Sequence, residues 1–193
     1  MSKLIELIDN NTTDKNTSHS YVDTYEELLS PIKYKSNNIL EIGIGEPKQH
    51  NENGGSIKLW HDYFPISIVY GLDIIDISQV NNDIKNKDRI KLITNIDAYN
   101  VEFVKTAFVE KNIKFDVLID DGPHTLDSMI FFIQNYLQLL NDNGILVIED
   151  VPDMSWIPIL TESTPLQYKH CIHVRDLRAN KHRWDDILFV IQK

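Results

Sequence analysis

The chain has little of several things, and each shortage narrows what the protein can be. Only one cysteine, Cys171, is present among 193 residues, so no disulfide can form within the chain. Basic residues are in the minority, with 19 Lys and Arg against 29 Asp and Glu, and the formal net charge is −10. A chain of this charge is poorly suited to neutralise nucleic-acid phosphates. We therefore expect no nucleic-acid partner.

Long apolar runs are also missing. No stretch approaches the roughly 18 apolar residues of a membrane-spanning helix, and Met1–Asn10 lacks the basic and then apolar pattern of a signal peptide. The single cysteine suits a reducing compartment. We expect a cytoplasmic protein without a membrane partner, and a length of 193 residues with 42% hydrophobic residues suits one domain.

Residues 38–73 predict a strand, a glycine-rich loop, a helix and a second strand. A short apolar run indicates a buried parallel strand; its members are Ile39, Leu40, Ile42 and Ile44. Gly43 and Gly45 end this strand without a Cβ atom, so a ligand can approach the backbone closely. The pair Gly54 and Gly55 precedes the helix, whose N-terminus offers free N–H groups to an anion.

Asp73 stands at the end of the second predicted strand, where a carboxylate can accept hydrogen bonds from both hydroxyls of a ribose. The unit thus predicts an anion site beside a ribose site. The dinucleotide fingerprint GxGxxG is not met, because Lys48 stands where its third glycine would be, and the GK[ST] of a P-loop is missing. We therefore expect the loop to bind something other than a pyrophosphate.

Asp97 follows the third predicted strand. Its carboxylate either accepts a hydrogen bond from an exocyclic amine, such as adenine N6, or caps the helix that begins near Val101. The sequence leaves both interpretations open.

Acidic residues follow the fourth and fifth predicted strands. Asp120 and Asp121 end one strand, and Glu149 and Asp150 end the other. Because neighbouring strands lie about 5 Å apart, these carboxylates should converge and repel each other unless a cation is present. Hard oxygen ligands suit Mg²⁺ or Ca²⁺. His124, three residues beyond Asp121, is a candidate general base. The alternative is that these groups only cap helices and loops.

Strands alternate with helices, and the chain ends in two strands around a polar turn at Arg178–Trp184. This order predicts an α/β fold with a Rossmann-like doubly wound sheet, mostly parallel, with an antiparallel C-terminal edge. Within the single domain we expect a polar segment over residues 1–20, a helix over 21–36 that caps the ligand cleft, and a Rossmann-like core over 37–193.

Two further expectations concern local structure. The polar run Asn141–Gly144 predicts a turn before the fifth strand. Six histidines lack the spacing of metal ligands and are expected at the surface or in loops; they are His19, His50, His61, His170, His173 and His182.

Together these segments resemble a known family, the class I S-adenosylmethionine-dependent methyltransferases, and in particular the metal-dependent sugar O-methyltransferases of the mycinamicin and macrocin type. The resemblance runs from about Thr13 to the C-terminus. Its segments are Thr13–Lys15, His19–Tyr21, Leu40–Gly45, Gly54–Trp60, Tyr63–Pro65, Ile119–His124, Ile148–Asp150 and Asp185–Leu188. The chain departs from the pattern at Pro123, which stands where a serine is common, and before Asp97, where it reads Asn95–Ile96 and lacks the usual glycine.

The resemblance implies the same fold class, an O-methyltransferase activity, and the cofactors S-adenosylmethionine and Mg²⁺. The residues implied to bind S-adenosylmethionine, through its methionine part, ribose and adenine, are Glu41, Gly43, Gly45, Ser56, Asp73, Asp97, Ala98 and Asp120. The residues implied to bind Mg²⁺ are Asp121, Glu149 and Asp150. His124 is the implied catalytic base. The implied acceptor is a small-molecule sugar or a nucleotide sugar, and a homodimer is one option for assembly.

Two alternatives stay open. The first is a metal-dependent O-methyltransferase of a catechol-like small molecule, whose neighbouring hydroxyls would chelate a metal in the same way. The second is a methyltransferase fold without activity that serves as a partner subunit. A nicotinamide oxidoreductase is less well supported, because the loop lacks the third glycine.

Overall fold

The protein is described by a computed structural model over residues 2–45 and 53–193. A seven-stranded sheet runs through it in the order β3-β2-β1-β4-β5-β7-β6. The strands are β1 (Asn38–Ile42), β2 (Ile68–Leu72), β3 (Ile90–Ile93), β4 (Phe115–Asp120), β5 (Leu140–Ile148), β6 (Ile172–Asp176) and β7 (Ile187–Gln192). Strands β1 to β5 pair in parallel, whereas β7 is antiparallel to both β5 and β6. The predicted fold class is therefore confirmed.

Helices cover both faces of this sheet. The α-helices are α1 (Leu4–Leu7), α2 (Val22–Leu29), α3 (Gly55–Tyr63), α4 (Asn82–Lys85), α5 (Val101–Val104), α6 (Leu126–Tyr136), α7 (Trp156–Ser163) and α8 (Arg178–Lys181). Helix α5 continues as a π-helix over Lys105–Val109, and short 3-10 helices cover Ile77–Gln79, Leu137–Leu139 and Leu166–Cys171. None of the helices in the described ranges is both long enough and apolar enough to cross a membrane.

The core consists of two apolar layers, because alternate residues of a strand point to opposite faces. Ile39 of β1 packs into the layer that contains Tyr25 of α2 and Trp60 of α3. Leu40, the next residue, packs into the opposite layer with Phe132 of α6. All five residues are at most 1% exposed, so the alternation accounts for how the sheet is enclosed between helices.

One local prediction was wrong. The predicted turn at Asn141–Gly144 lies inside β5, which begins at Leu140. The strand accommodates the polar residues through an irregularity, because Asn143 has a positive φ of 64° and the register against β4 shifts between Phe115 and Val117. Likewise, the predicted turn after β6 contains the short helix α8.

Strand register brings the candidate residues to one edge of the sheet. Ile42 at the end of β1 pairs with Asp120 of β4, and Asp120 pairs with Ile148 of β5. The residues that follow, Asp121 and Glu149 among them, therefore emerge side by side at the carboxyl ends of the parallel strands, where open α/β sheets bind ligands.

Candidate functional site

Two cavities open at this edge of the sheet, and they share a wall. The first has a volume of about 390 Å³ and the second about 410 Å³. Four residues line both cavities, namely Gly43, Gly45, Asp121 and Gly122. A ligand that spans the two cavities would therefore pass directly over the ends of β1 and β4.

Gly43 permits the contact between these two strand ends. Its φ is +85°, and a Cβ atom built on it would lie 1.8 Å from the backbone oxygen of Asp121. Only a residue without a side chain allows the two backbones to approach in this way. The group that approaches Gly43 is the protein's own backbone, and the expected approach of a ligand stays a prediction.

The second cavity contains the residues predicted for the ribose and the adenine. Asp73, Asp97 and Ala98 all line it. Asp73 is 7% exposed, and its carboxylate accepts hydrogen bonds from the backbone N–H groups of Ile44 at 2.7 Å and Ile75 at 3.0 Å. These contacts fix the carboxylate at the end of β2 while it still borders the cavity.

Asp97 does not cap the following helix, so that alternative is wrong. Its Oδ1 accepts from the backbone N–H of Tyr99 at 2.8 Å. The cap of α5 is Asn100, which accepts from Glu102 and Phe103. Asp97 lines the second cavity, and its role in ligand binding stays a prediction.

The first cavity is bounded by the start of α3 and by the N-terminal segment, which we define as residues 9–20. Gly54, Gly55 and Ser56 line it from α3. From the N-terminal segment, the lining side chains are Asn10, Asn11, Thr12, Thr13, Asp14 and Thr17. A Cβ on Gly55 would lie 1.9 Å from the backbone oxygen of Thr12, so the segment packs tightly against the helix start.

The prediction that a helix over residues 21–36 caps the cleft is therefore corrected. Among the residues that line the two cavities, none comes from α2, whose side chains Tyr25, Leu28 and Leu29 belong to the core. The polar N-terminal segment covers the first cavity instead. Its composition predicts a loop, and only the tertiary structure brings this loop over the sheet edge.

Glu41 and Ser56, both predicted to contact the cofactor, contact each other. The Ser56 hydroxyl donates to Glu41 Oε2 at 2.8 Å, and the Trp60 indole donates to the same oxygen at 2.9 Å. Glu41 is fully buried, and burial raises its pKa to about 7. It is not among the residues that line either cavity, so its carboxylate lies beneath the cleft.

Lys15 of the N-terminal segment lies at the centre of the acidic residues. Its ammonium is 2.5 Å from Glu149 Oε2, 2.8 Å from Asp121 Oδ2 and 3.3 Å from Glu41 Oε1. The side chain is 1% exposed. Burial by itself would lower the pKa of Lys15, but the surrounding carboxylates outweigh it and raise that pKa well above its usual value. The ammonium is thus a permanent cation in the site.

Two buried tyrosines of the N-terminal half also bind these acids. Tyr25 donates its hydroxyl to Glu149 Oε1, and Tyr21 donates to Asp150 Oδ1. Burial raises the pKa of Glu149 and of Asp150, and so do the neighbouring acids, Asp121 included. Both oxygens of Glu149 are therefore engaged, one by Tyr25 and one by Lys15.

His124 borders the first cavity together with Asp121 and Asp150. Its Nε2 lies 3.6 Å from Asp150 Oδ2 and 3.8 Å from Asp121 Oδ1. The ligand-type atoms of these three residues all lie within 4.8 Å of one another. His124 and Asp150 both have positive φ values, 51° and 53°. Backbone conformations of this kind cost energy and are often found at functional sites.

Asp120 is buried beneath Gly122 rather than at a cavity wall. The Tyr99 hydroxyl donates to Asp120 Oδ1, while Oδ2 has no hydrogen-bond partner among the described residues. Burial raises the pKa of Asp120 to about 7. The carboxyl reaches the second cavity through Tyr99, which lines it.

His19 lies in a loop, which is one of the two expected placements, but it is not at the surface. The side chain is 1% exposed, and its Nδ1 lies 3.2 Å from Asp150 Oδ1 and 3.4 Å from Asp186 Oδ1. It also stacks on Tyr21, with ring centroids 4.8 Å apart. His61 is part-buried as well, in α3 beside Arg89. The prediction for His50 falls outside the described residues.

Sequence reasoning therefore missed the N-terminal contribution to the site. Lys15, His19, Tyr21 and Tyr25 all contact the acids at the sheet edge. The segments Thr13–Lys15 and His19–Tyr21 carried part of the family resemblance, and this was the available signal. Without an apolar periodicity, however, nothing in a polar loop reveals that its side chains are buried.

The chain is 28% identical over 145 residues to the 8-demethyl-8-alpha-L-rhamnosyl tetracenomycin-C 2'-O-methyltransferase of Streptomyces olivaceus, covering 75% of this chain and 36% of that protein. It is 30% identical over 138 residues to the mycinamicin VI 2''-O-methyltransferase of Micromonospora griseorubida, covering 72% and 33%. The match thus spans about a third of the length of these curated relatives. No protein-family model matches the chain.

A solved structure decides the fold. The methyltransferase MycE of the mycinamycin biosynthetic pathway, in complex with Mg, SAH and mycinamycin VI, superposes on all of this chain with a TM-score of 0.78, at 23% identity and over 53% of its own length. The chain has the class I methyltransferase fold. The resemblance to the sugar O-methyltransferases of the mycinamicin and macrocin type, stated from the sequence, is also confirmed by these relatives. Within this methyltransferase fold, the two cavities and the acids lie at the carboxyl ends of β1, β2, β4 and β5.

Proposed function

We propose that this chain is an S-adenosylmethionine-dependent and Mg²⁺-dependent O-methyltransferase that acts on a hydroxyl of a small-molecule sugar or nucleotide sugar. The observation that carries the proposal is that Asp121 lines both cavities. The second cavity suits the nucleoside of the cofactor, and the first contains His124 and Asp150. A methyl group held between the two cavities would thus lie next to a base and a pair of carboxylates.

The first step of the proposal concerns the cofactor. Asp73 would accept from the ribose hydroxyls, and Asp97 would accept from the adenine amine beside Ala98. Gly43 and Gly45 would border the methionine part, and the N-terminus of α3 at Gly54 and Gly55 would face its carboxylate. Glu41 would hold Ser56 at the wall of the first cavity through their hydrogen bond, and Asp120 would hold Tyr99 at the wall of the second cavity in the same way.

The residues also fit a divalent cation. Asp121 and Asp150 offer hard oxygen atoms at the wall of the first cavity, and such atoms suit Mg²⁺. The acids outnumber the one ammonium among them. Burial raises the pKa of Glu149 and of Asp150, and the neighbouring acids raise both further. Glu149 lies behind this pair and would reach an ion by exchanging the contact of its Oε1 with Tyr25.

The proposed chemistry is an in-line methyl transfer. S-adenosylmethionine supplies an electrophilic methyl group, and bound Mg²⁺ lowers the pKa of an acceptor hydroxyl. The chain must align the acceptor oxygen with that methyl group and exclude water. His124 Nε2 would accept the hydroxyl proton, and the carboxylate of Asp150, 3.6 Å away, would stabilise the imidazolium that results.

The first cavity favours a sugar over a catechol as acceptor. Its described lining includes amide, hydroxyl and carboxylate side chains of the N-terminal segment, and no Phe, Tyr or Trp side chain. A polar wall suits an acceptor with several hydroxyls, whereas an aromatic ring is commonly held by apolar and aromatic side chains. The homodimer stays a prediction.

Calorimetric titration with S-adenosylmethionine, and separately with NAD⁺, tests the cofactor. Micromolar binding of S-adenosylmethionine and none of NAD⁺ is expected; binding of NAD⁺ alone, or of neither, would contradict the proposal. A panel of nucleotide sugars, glycosides and catechols then tests the acceptor, with and without chelator. Turnover confined to sugars and lost in chelator is expected, and full activity in chelator would remove the metal from the mechanism.

His124→Ala tests the base. Turnover should fall by roughly two to four orders of magnitude, the usual contribution of a general base, while the affinity for S-adenosylmethionine stays within a few-fold. His173→Ala is the matched control, because His173 is an exposed histidine on β6. Equal loss of cofactor binding and turnover in His124→Ala would assign His124 a structural role instead.

A further inference from the structure

Three groups of potential metal ligands adjoin at the sheet edge among the described residues. Two of them share Asp121, and the third, made of His19, Asp150 and Asp185, shares Asp150 with the first. The first consists of Asp121, His124 and Asp150; the second consists of Glu41, Asp121 and Glu149. In each group the ligand-type atoms lie within 4.8 Å of one another. The first group borders a cavity, whereas Glu41 and Glu149 of the second are at most 1% exposed.

The second group already contains a cation, the ammonium of Lys15. Its Nζ is within 3.3 Å of one oxygen from each of the three acids. Glu41 Oε1 is fully buried and directed at this position; the Lys15 ammonium at 3.3 Å is its contact, and it has no other hydrogen-bond partner among the described residues. These oxygens, from two buried acids and the partly exposed Asp121, are the coordination that a divalent cation would find there if the lysine were absent.

Asp121 links the two positions. Its Oδ2 contacts Lys15, and its Oδ1 lies on the side of His124. Carboxylates that bridge two such positions are a feature of two-metal sites, in which the ions are about 3.5–4 Å apart. The fold therefore provides acids for two cations, and the N-terminal segment fills one position with its own side chain.

We propose that Lys15 is a positioning residue that occupies a second cation position and thereby restricts this acidic cluster to a single divalent ion beside His124. The inference rests on the metal site of the proposed function. It explains why a lysine lies fully buried among acids: the ammonium occupies the position between Glu41 and Glu149 and repels a second cation, so a divalent ion is directed to the cavity wall, where an acceptor can reach it.

Mn²⁺ is the probe, since its paramagnetism allows bound ions to be counted and their proximity to be measured. The wild-type chain should bind one Mn²⁺ with an ordinary spectrum of an isolated ion. Lys15→Ala removes both the charge and the side chain, so it should bind two ions whose spectra show the coupling of a close pair. A merely structural loss would not create a coupled pair.

Three further variants keep the experiment decisive. Lys15→Arg retains the charge and should bind one ion, as the wild type does. Lys58→Ala is the control, because Lys58 forms an exposed pair with Asp62 at 2.6 Å, outside the cluster. If Lys15→Ala does not fold, Lys15→Gln replaces it; the loss of ammonium–cation repulsion should then tighten the binding of Mn²⁺ by about tenfold or more.

The outcomes separate this inference from the proposed function. One uncoupled ion in Lys15→Ala, or an unchanged affinity in Lys15→Gln, would overturn the role of Lys15 and leave the metal site of the wild type intact. No Mn²⁺ in the wild type but one in Lys15→Ala would support the role of Lys15 and remove the metal from the proposed function. No Mn²⁺ in either protein would overturn both.

Discussion

Gly43→Ala tests the contact on which the geometry of the site depends. A non-glycine residue at φ +85° costs about 1–3 kcal/mol. The added Cβ would also lie 1.8 Å from the backbone oxygen of Asp121, and forced overpacking of this kind costs roughly another 1–3 kcal/mol. A loss of about 4 kcal/mol is therefore expected in the free energy of unfolding.

Thermal unfolding measures this loss. For a chain of this length, 1 kcal/mol corresponds to a change in Tm of about 2–4 °C, so Gly43→Ala should unfold roughly 8–16 °C below the wild type. The backbone of Asp121 must also move, and since Asp121 lines both cavities, the affinity for S-adenosylmethionine should fall about tenfold or more.

Gly71→Ala is the matched control. Gly71 lies in β2 of the same unit, and an added Cβ would meet only side-chain atoms of Ile44 and Ile57 at 3.0 Å. These side chains can adjust, so a loss of at most about 1 kcal/mol is expected. If Gly43→Ala were no less stable than Gly71→Ala and bound the cofactor equally well, the close approach of β1 and β4 would not be a requirement of the site.

Three other predictions follow from the buried polar groups. Burial raises the pKa values of Asp120 and Glu41 to about 7. The folded state therefore binds these two protons more tightly than the unfolded state does. The contribution of the two groups to the free energy of unfolding, measured in chelator, should be largest below about pH 4 and should fall as the pH rises to about 7. Asp120→Asn should weaken this pH dependence in thermal unfolding, and an unchanged profile would contradict the assignment. Tyr25→Phe leaves Glu149 Oε1 without its donor and should lower the free energy of unfolding in urea by about 1–3 kcal/mol. The control Tyr34→Phe, at a residue 50% exposed, should lower it by less than about 0.5 kcal/mol. Equal losses in the two variants would contradict a stabilising role of the hydrogen bond between Tyr25 and Glu149. Asp97→Ala should lower the affinity for S-adenosylmethionine about tenfold in calorimetry, because the hydrogen bond to the adenine amine is lost. Asp142→Ala, at an exposed residue, is the control. An affinity equal to that of the control would exclude Asp97 from the cofactor site.

The strands and the sheet edge could be predicted because their signals are local. Short apolar runs such as Ile39–Ile42 identify buried parallel strands from a few neighbouring residues. Gly43, Asp73, Asp121 and Asp150 follow directly on such strands, and the carboxyl ends of parallel strands meet at one edge. The identity of this edge and of the residues on it therefore follows from the sequence.

The details that depend on strain or register were less predictable. Asn141–Gly144 has the composition of a turn, yet it lies within β5. Leu140 and Ile145 on either side pair with β4, and the register shift and the positive φ of Asn143 accommodate the residues between them. In the same way, nothing local distinguishes Asn100 from Asp97 as the cap of α5.

What the sequence by itself determined is the alternation of strands and helices and the acids that end the strands, since both are patterns of neighbouring residues. What only the tertiary structure decided is the role of the N-terminal segment. Lys15 and Glu149 are separated by 134 positions, yet they form a buried ion pair. A polar loop has no apolar periodicity that indicates its burial, and the acids that its side chains contact lie far from it in sequence. The Lys15 ammonium at the centre of the acids could therefore be identified only from the tertiary structure.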